Sequence, residues 1–338
     1  MNAAIRAIEF SLPDQVLDNQ QLAALYEGWS PEKIVEKTGI EQRHVAAPDE
    51  CSSDLAYKAA MRLFESGACK PSEIDYLLFC TQSPDYFLPT TACLLQQRLG
   101  LPVHCGALDF NLGCSGFVYG LSLAKGLVES GQAKNVLLLT AETYSKFIHP
   151  GDKSVRTLFG DAGAATFISE FDSEKPCMGS FAFGTDGAGA QNLIVPTGGM
   201  RKQRTASAEV KSDDSGNCRT ENDLFMNGPE IFNFTLRAVP ETVSRVLRLS
   251  ESTIEGVDLF VFHQANRFML DHLRKRLRIP PEKFCISMAN CGNTVSSTIP
   301  IALKKAELEG QLKQGMNVMI LGFGVGYSWA GAMLKWVR

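Results

Sequence analysis

The chain repeats itself. Ile74-Asp-Tyr-Leu-Leu-Phe79 returns as Val257-Asp-Leu-Phe-Val-Phe262, at an offset of 183 from 74 to 257. Asn135-Val-Leu-Leu-Leu139 returns as Asn317-Val-Met-Ile-Leu321, at an offset of 182 from 135 to 317. A third echo links Gly163-Ala-Ala-Thr-Phe-Ile168 to Trp329-Ala-Gly-Ala-Met-Leu334, at an offset of only 166 from 163 to 329. The shortfall places extra residues in the first copy between about 143 and 160. Each echo is a short apolar run of strand length, and helical patterns separate them. Strands buried on both faces and alternating with helices imply an α/β layered fold. The expected division is a first half at 1–172 and a second at 173–338, closed into one body because no low-complexity linker separates them.

Helical periodicity is expected over Ser53–Ser66, Ser115–Ser130, Glu230–Leu249, Ala265–Leu277 and Ser297–Glu309. The stretch Thr197–Asn222 carries Gly, Ser, Lys, Arg and Asp with little apolar pattern. It reads as a loop over the surface or over a site entrance.

Composition removes several function classes. Apolar residues make up 45 % and charged residues 21 %, which suits an enzyme with a large core. The formal charge of −4 offers no cationic signature for nucleic acid. No apolar run approaches the ~20 residues that cross a bilayer, so no membrane association is expected. The ten cysteines are scattered without a Cys-x-x-Cys pair, so no metal site is indicated. No secretory signal opens the sequence, and a reduced, cytoplasmic setting is the expectation.

Three polar residues stand at the ends of buried elements. Cys114 lies where the run ending at Leu112-Gly113 gives way to the helix that begins at Ser115. A helix N-terminus presents unpaired N–H groups and favours the thiolate, the form that attacks acyl groups. A small buried structural cysteine is the other reading. His263 ends the apolar run Val257–Phe262, and Asn293 sits in a Gly-Asn turn that opens another helix. Alone, the first could be a structural histidine and the second a helix cap. Together they supply a nucleophile and two hydrogen-bonding groups.

The markers Lys37-Thr-Gly-Ile-Glu-Gln-Arg43, the Cys114 segment, Phe159-Gly-Asp-Ala-Gly-Ala-Ala165, His263-Gln-Ala-Asn266, Gly292-Asn-Thr294 and Gly322-Phe-Gly-Val-Gly326 follow in one order. In this the chain resembles the β-ketoacyl-acyl-carrier-protein synthase III family of the thiolase-like superfamily, from end to end. The resemblance implies a duplicated five-layered α-β-α-β-α thiolase-like fold, a homodimer, and Cys114, His263 and Asn293 as the catalytic set. It implies no cofactor. The substrates would be an acyl-coenzyme A or acyl-carrier-protein primer and malonyl-acyl-carrier protein, and the carrier protein would be the partner.

The implied reaction is a decarboxylative Claisen condensation. Cys114 takes the acyl primer from a thioester. A malonyl thioester loses CO2, and His263 Nε2 and Asn293 Nδ2 donate to the resulting enolate oxygen. Asn suits this task because it stays neutral and cannot act as a carboxylate base. A second oxyanion would be met by the backbone N–H of Cys114 and, by resemblance, that of Val325. Gly228, Phe232, Ala265 and Asn266 match positions lining the tunnel for the pantetheine arm. Leu88 aligns with a residue that lines the acyl tunnel across the dimer interface.

Two features depart from the family pattern or add to it. Lys33 and Lys37 stand where the family often has a Trp and an Arg against the adenine of coenzyme A. Lysine lacks the planar fork that stacks on a base, so a nucleotide-free grip on the primer is expected. The helix after His263 carries Arg267, Arg274, Lys275, Arg276 and Arg278 against Asp271. Such an excess would dock an acidic carrier protein. The competing readings are a specialised ketide synthase or acyltransferase, a cysteine hydrolase, and an inactive partner subunit. The intact Cys-His-Asn set disfavours the last.

Overall fold

The apolar runs become strands buried on both faces. The structure, a computed structural model, describes residues 1–338. In the first half, β1 (Asn2–Ser11), β2 (Tyr76–Cys80), β3 (Gly106–Phe110), β4 (Asn135–Glu142) and β5 (Ala162–Phe171) form one sheet in the order β1-β5-β4-β2-β3. β2 pairs in parallel with β3 and β4, while β5 runs antiparallel to β4 and β1. In the second half, β6 (Met178–Thr185), β7 (Leu259–Phe262), β8 (Asn317–Gly324) and β9 (Ser328–Lys335) form a sheet in the order β7-β8-β9-β6. Here β7 and β8 are parallel, and β9 is antiparallel to β8 and β6.

The two pairing schemes correspond strand for strand: β2 to β7, β4 to β8, β5 to β9 and β1 to β6. Only β3 lacks a full counterpart. In its place Phe284 makes a single parallel bridge to Phe260. The sequence echoes are therefore equivalent strands of two copies.

The main helices complete the layers. They are α1 (Pro31–Thr38), α2 (Ser52–Glu65), α3 (Thr91–Arg98), α4 (Gly116–Glu129), α5 (Gly228–Leu249), α6 (Arg267–Arg276) and α7 (Thr298–Leu308). α4 and α7 touch strands of both sheets and form the middle layer. α2 and α3 cover the outer face of the first sheet, and α5 that of the second, with α6 packed against α5 and α1. Side-chain alternation along the strands follows from this. Val136 and Leu138 face the central core while Leu137 and Leu139 face the core under α2. Val318 and Ile320 face the centre while Met319 and Leu321 face α5. Three large apolar clusters thus fill the four spaces between five layers, the central one lying on both sides of α4 and α7, as a thiolase-like α-β-α-β-α stack requires.

The expected helices are present within one or two residues of their predicted ends. Two more, α1 and α3, are additions to that expectation. α1 has clear local causes: Ser30 caps it by accepting from the Lys33 N–H, Pro31 opens its first turn, and Gly39 closes it in the left-handed region at φ 72°. The extra residues of the first copy are also in place. Nineteen residues, 143–161, connect β4 to β5, against three, 325–327, between β8 and β9. That difference of sixteen is the shortfall between the offsets 182 and 166. The long connection folds as a 3-10 turn, Tyr144–Phe147, and a short helix, Lys153–Arg156. Asp161 pins it, accepting from the Ala46 N–H and from both the N–H and the hydroxyl of Ser145.

Candidate active site

Cys114 occupies the turn between β3 and α4, one residue before the Ser115 cap. α4 can lie close under the sheet because its first residue is glycine: a Cβ at Gly116 would come within 2.2 Å of Cys80 Sγ. Opposite the nucleophile, the end of β8 passes so near that a Cβ at Gly324 would sit 2.8 Å from Cys114 Sγ. The backbone N–H groups of Cys114 and Val325 face the sulfur. Cys114 is buried and shares an apolar cluster with Tyr144, Ile148, Val155, Phe159, Leu193, Leu224 and Val295. Most of that pocket wall comes from the long 143–161 connection.

Burial changes the expected chemistry of the thiol. Desolvation, with the nearby Glu142 carboxyl second, pushes Cys114 up to about 12, and the two N–H groups only partly oppose this. The resting group is a thiol, not the thiolate that a helix N-terminus alone would favour. A base is therefore needed to take its proton.

His263 continues from β7, with its N–H on the Leu321 carbonyl of β8 at 2.8 Å. Its ring packs edge-on against Phe323, with centroids 5.5 Å apart. Burial lowers its pKa to about 3, so the imidazole is neutral. Nδ1 lies 2.7 Å from the Thr298 hydroxyl, which is also 3.0 Å from the Val295 carbonyl oxygen.

Asn293 is buried in the turn before α7. Its Oδ1 accepts from the Val295 N–H at 3.0 Å, which leaves Nδ2 as the free end of the amide. Its backbone bonds Leu158 and Gly160 of the long connection, which ties the turn to the pocket wall. Val295 has φ 53°, a strained value for a β-branched residue. Three successive hydroxyls hold this turn: Ser296 donates to Glu142, Ser297 donates to the Thr140 carbonyl, and Thr298 meets His263.

A cavity of about 470 Å³ is lined among others by Trp29, Lys37, Leu158, Arg219, Gly228 and Asn266, and none of Cys114, His263 and Asn293 is part of its wall. Asn266 caps α6 by accepting from the Met269 N–H, and its NH2 group remains available. Phe232 packs on Phe268 and His272, and Ala265 is buried between His263 and Asn266. Part of the predicted loop borders this cavity, where Asp213, Asn217 and Arg219 reach its wall. Arg219 ties it down through Asp152 at 2.7 Å and Asp213 at 2.8 Å.

Trp29 is a residue that the sequence reading misses. It supplies the planar group that Lys33 and Lys37 lack. The two ammonium groups sit over its ring, 5.4 and 5.8 Å from its centroid, and Lys33 also donates to the Gly28 carbonyl. A cation over an indole face is a stable arrangement, and it would have to yield before an adenine could stack there. The available signal is Trp29 itself, standing just before the Ser30 cap with the two lysines one and two turns on.

Other candidates fall elsewhere. On α6, Lys275 and Arg276 lie away from the core. Arg274 is turned inward, donating to the Ile279 carbonyl at 3.2 Å and lying 3.8 Å from Asp271. Arg267 is 3.5 Å from Asp271. These two arginines are less free than the sequence suggests, because Asp271 lies on their face of the helix. Leu88 is 83 % exposed in the loop before α3, beside the exposed Tyr86 and Phe87, and does not line the Trp29 cavity of its own chain. No helix is long and apolar enough to cross a membrane.

Comparison with known proteins shows the family. The family described as 3-oxoacyl-[acyl-carrier-protein (ACP)] synthase III matches residues 108–187, and its C-terminal family matches residues 247–336. A β-ketoacyl-[acyl-carrier-protein] synthase III of Caldanaerobacter subterraneus subsp. tengcongensis is 36 % identical over 327 residues, covering 97 % of this chain and 96 % of the relative. A crystal structure described as a 3-oxoacyl-(acyl-carrier-protein) synthase III superposes with a TM-score of 0.98 at 56 % identity, covering 99 % of this chain and 100 % of that one. A 3-oxoacyl-(acyl-carrier protein) synthase from Burkholderia xenovorans LB400 superposes with a TM-score of 0.91 at 39 % identity, covering 100 % of this chain and 95 % of that one. The chain belongs to the β-ketoacyl-[acyl-carrier-protein] synthase III family of condensing enzymes.

Proposed function

We propose that this chain joins an acyl primer, held on Cys114, to the malonyl group of malonyl-acyl-carrier protein, with loss of CO2, at the start of fatty-acid or related synthesis. The observation that carries the reading is the sulfur of Cys114 facing two backbone N–H groups among apolar side chains. A thioester carbonyl seated there is attacked by sulfur while its developing oxyanion meets the Cys114 and Val325 N–H groups. The apolar side chains from 143–161 receive the acyl chain. Asn293 Nδ2 and His263 Nε2, when that nitrogen carries a proton, then meet the enolate oxygen left by decarboxylation. Neither step calls for a cofactor.

The arm of the carrier protein enters past Gly228, Phe232, Ala265 and Asn266. The carrier itself docks on Lys275 and Arg276, with Arg267 and Arg274 contributing field more than contact. The enzyme acts as a cytoplasmic homodimer in which Leu88 leaves its own surface to line the partner's acyl pocket. The halves 1–172 and 173–338 behave as one unit. The Trp29 face occupied by Lys33 and Lys37 favours a primer carried on protein over one carried on coenzyme A. That same observation favours a second reading, a specialised ketide synthase or acyltransferase. Offering malonyl-carrier protein with matched acyl-coenzyme A and acyl-carrier primers, and weighing the products, tests both readings. A β-ketoacyl product supports condensation, with primer preference separating a fatty-acid from a ketide synthase, and an ester or amide formed when an alcohol or amine acceptor is added supports the acyltransferase. Absence of acylation at Cys114 with every primer overturns both.

A further inference from the structure

The Thr298 hydroxyl has one hydrogen and two neighbours that could compete for it. The Val295 carbonyl oxygen, 3.0 Å away, can only accept. His263 Nδ1, 2.7 Å away, can donate or accept according to its tautomer. If the hydroxyl gave its hydrogen to the ring, its contact with the carbonyl would have none. If it gives it to the carbonyl, its lone pair takes a hydrogen from Nδ1, and all three atoms are satisfied. The Val295 carbonyl is not free to turn away, since the Thr298 N–H also bonds it and Val295 is held at φ 53°.

We infer that Thr298 is a positioning residue that locks His263 as the Nδ1–H tautomer, leaving Nε2 as a bare proton acceptor; that this acceptor serves Cys114 rests on the condensing role proposed above. Burial supports it by keeping the ring neutral, with one proton to place. The duplication supports it independently. The position equivalent to His263 is Cys80, at the earlier offset of 183, and that equivalent to Thr298 is Gly116, at the offset of 182. In that first-copy corner no side chain fits at 116, since a Cβ would come within 2.2 Å of Cys80 Sγ. The fold therefore does not require a hydroxyl at this corner, and it occurs in the copy that has a histidine to orient.

The tautomer orders the proton traffic. As Cys114 attacks the primer thioester, its S–H proton passes to Nε2, a new S–C bond forms, and the old C–S bond breaks. The leaving thiolate then takes the proton from Nε2. In the second half-reaction Asn293 Nδ2 donates to the enolate oxygen, and the Cys114 thiolate expelled at the end takes a proton from solvent by way of Nε2. One proton is consumed per turnover, as decarboxylative condensation requires, and Nε2 is its point of entry.

The test is ¹⁵N NMR of the full chain with ¹⁵N-labelled histidine, with His263 assigned by loss of its signal in His263→Asn. Wild type is expected to show the Nδ1–H pattern at neutral pH. Thr298→Val, nearly the same shape, is expected to lose that single pattern and to slow self-acylation of Cys114 on the order of 10²-fold, the scale of lost general-base catalysis. Thr298→Ser is expected to restore both. An Nε2–H pattern in wild type, or a Thr298→Val protein with the wild-type pattern, overturns the inference. If Thr298→Val does not fold, the wild-type pattern alone decides it. A protein that makes no condensation product would refute the proposed function while leaving this spectrum readable.

Discussion

The two corners where the halves meet are built alike and used differently. Cys114 and Ser296 are related by the offset of 182, as are Glu142 and Gly324, the last residues of β4 and β8. In one corner the backbone at Gly324 approaches Cys114 so closely that a Cβ there would sit 2.8 Å from its sulfur. In the other, Ser296 donates to Glu142 Oε1 at 3.1 Å and the space is filled. Glu142 also accepts from the Gln82 N–H and the Ser83 hydroxyl. One corner sets a cysteine against bare backbone, while its twin is closed by hydrogen bonds. The connections after β4 and β8 divide the labour in the same way. The nineteen-residue one supplies most of the apolar side chains clustered with Cys114, and the three-residue one carries the Val325 N–H.

The sharpest way to break this comparison is to disable each corner in turn. Cys114→Ala is expected to abolish both the acyl adduct, read by intact-protein mass, and condensation. Ser296→Ala is expected to keep the adduct. Equal loss in both variants would mean that the corners are not functionally distinct.

Next in size is Asn293→Ala. It should still form acyl-Cys114 but release CO2 about 100-fold more slowly, the scale of losing an oxyanion donor. Failure at self-acylation with normal decarboxylation would reverse the assignment of the two half-reactions.

The closed corner makes its own prediction through pH. Burial raises Glu142 from its ordinary 4.5 to about 8. Between those values the folded protein holds a proton that the unfolded chain has released. Stability therefore falls as pH rises from about 4.5 to about 8, by on the order of a few kcal/mol in total. Glu142→Gln should remove that slope and gain most over wild type near the upper end of this window. Urea midpoints of the two proteins at a series of pH values measure it, and parallel curves would disprove the buried acid's role.

The smallest expected effect lies outside both corners. Reversing Lys275 and Arg276 to Glu should raise KM for a carrier-bound substrate severalfold at low salt, and less at high salt. The same acyl group on a pantetheine fragment should be unaffected. A shift for both substrates would place the effect in the corners instead of on the surface.

Much of this was legible in the sequence because it depends on local pattern. Apolar runs at a fixed offset mark the two sheets, and helical periodicity marks the middle layer. Cys114, His263 and Asn293 are marked by standing at the ends of such runs. The rest depends on which side chains meet across the interface between the halves. The Cys114 thiol is misjudged from sequence because burial by 143–161 and the charge of Glu142 come from residues that only the fold brings near. Trp29 escapes notice because its importance lies in the two lysines on its face. Arg274 looks free because its Asp271 and Ile279 partners are defined by helix geometry, not by composition.

The middle layer also bears on how the protein is made. Its core joins Ala3 and Val128 to Leu334 and Trp336. A ribosome adding ~5–20 residues per second takes on the order of 10–40 s to pass from Val128 to the end of β9. Throughout that interval at least one of the two sheets that cover α4 is incomplete, and the apolar face meant for it stands uncovered. The nascent first half is thus the stage at which this chain most needs shielding from its neighbours, and removing the final strands would leave a product permanently in that condition.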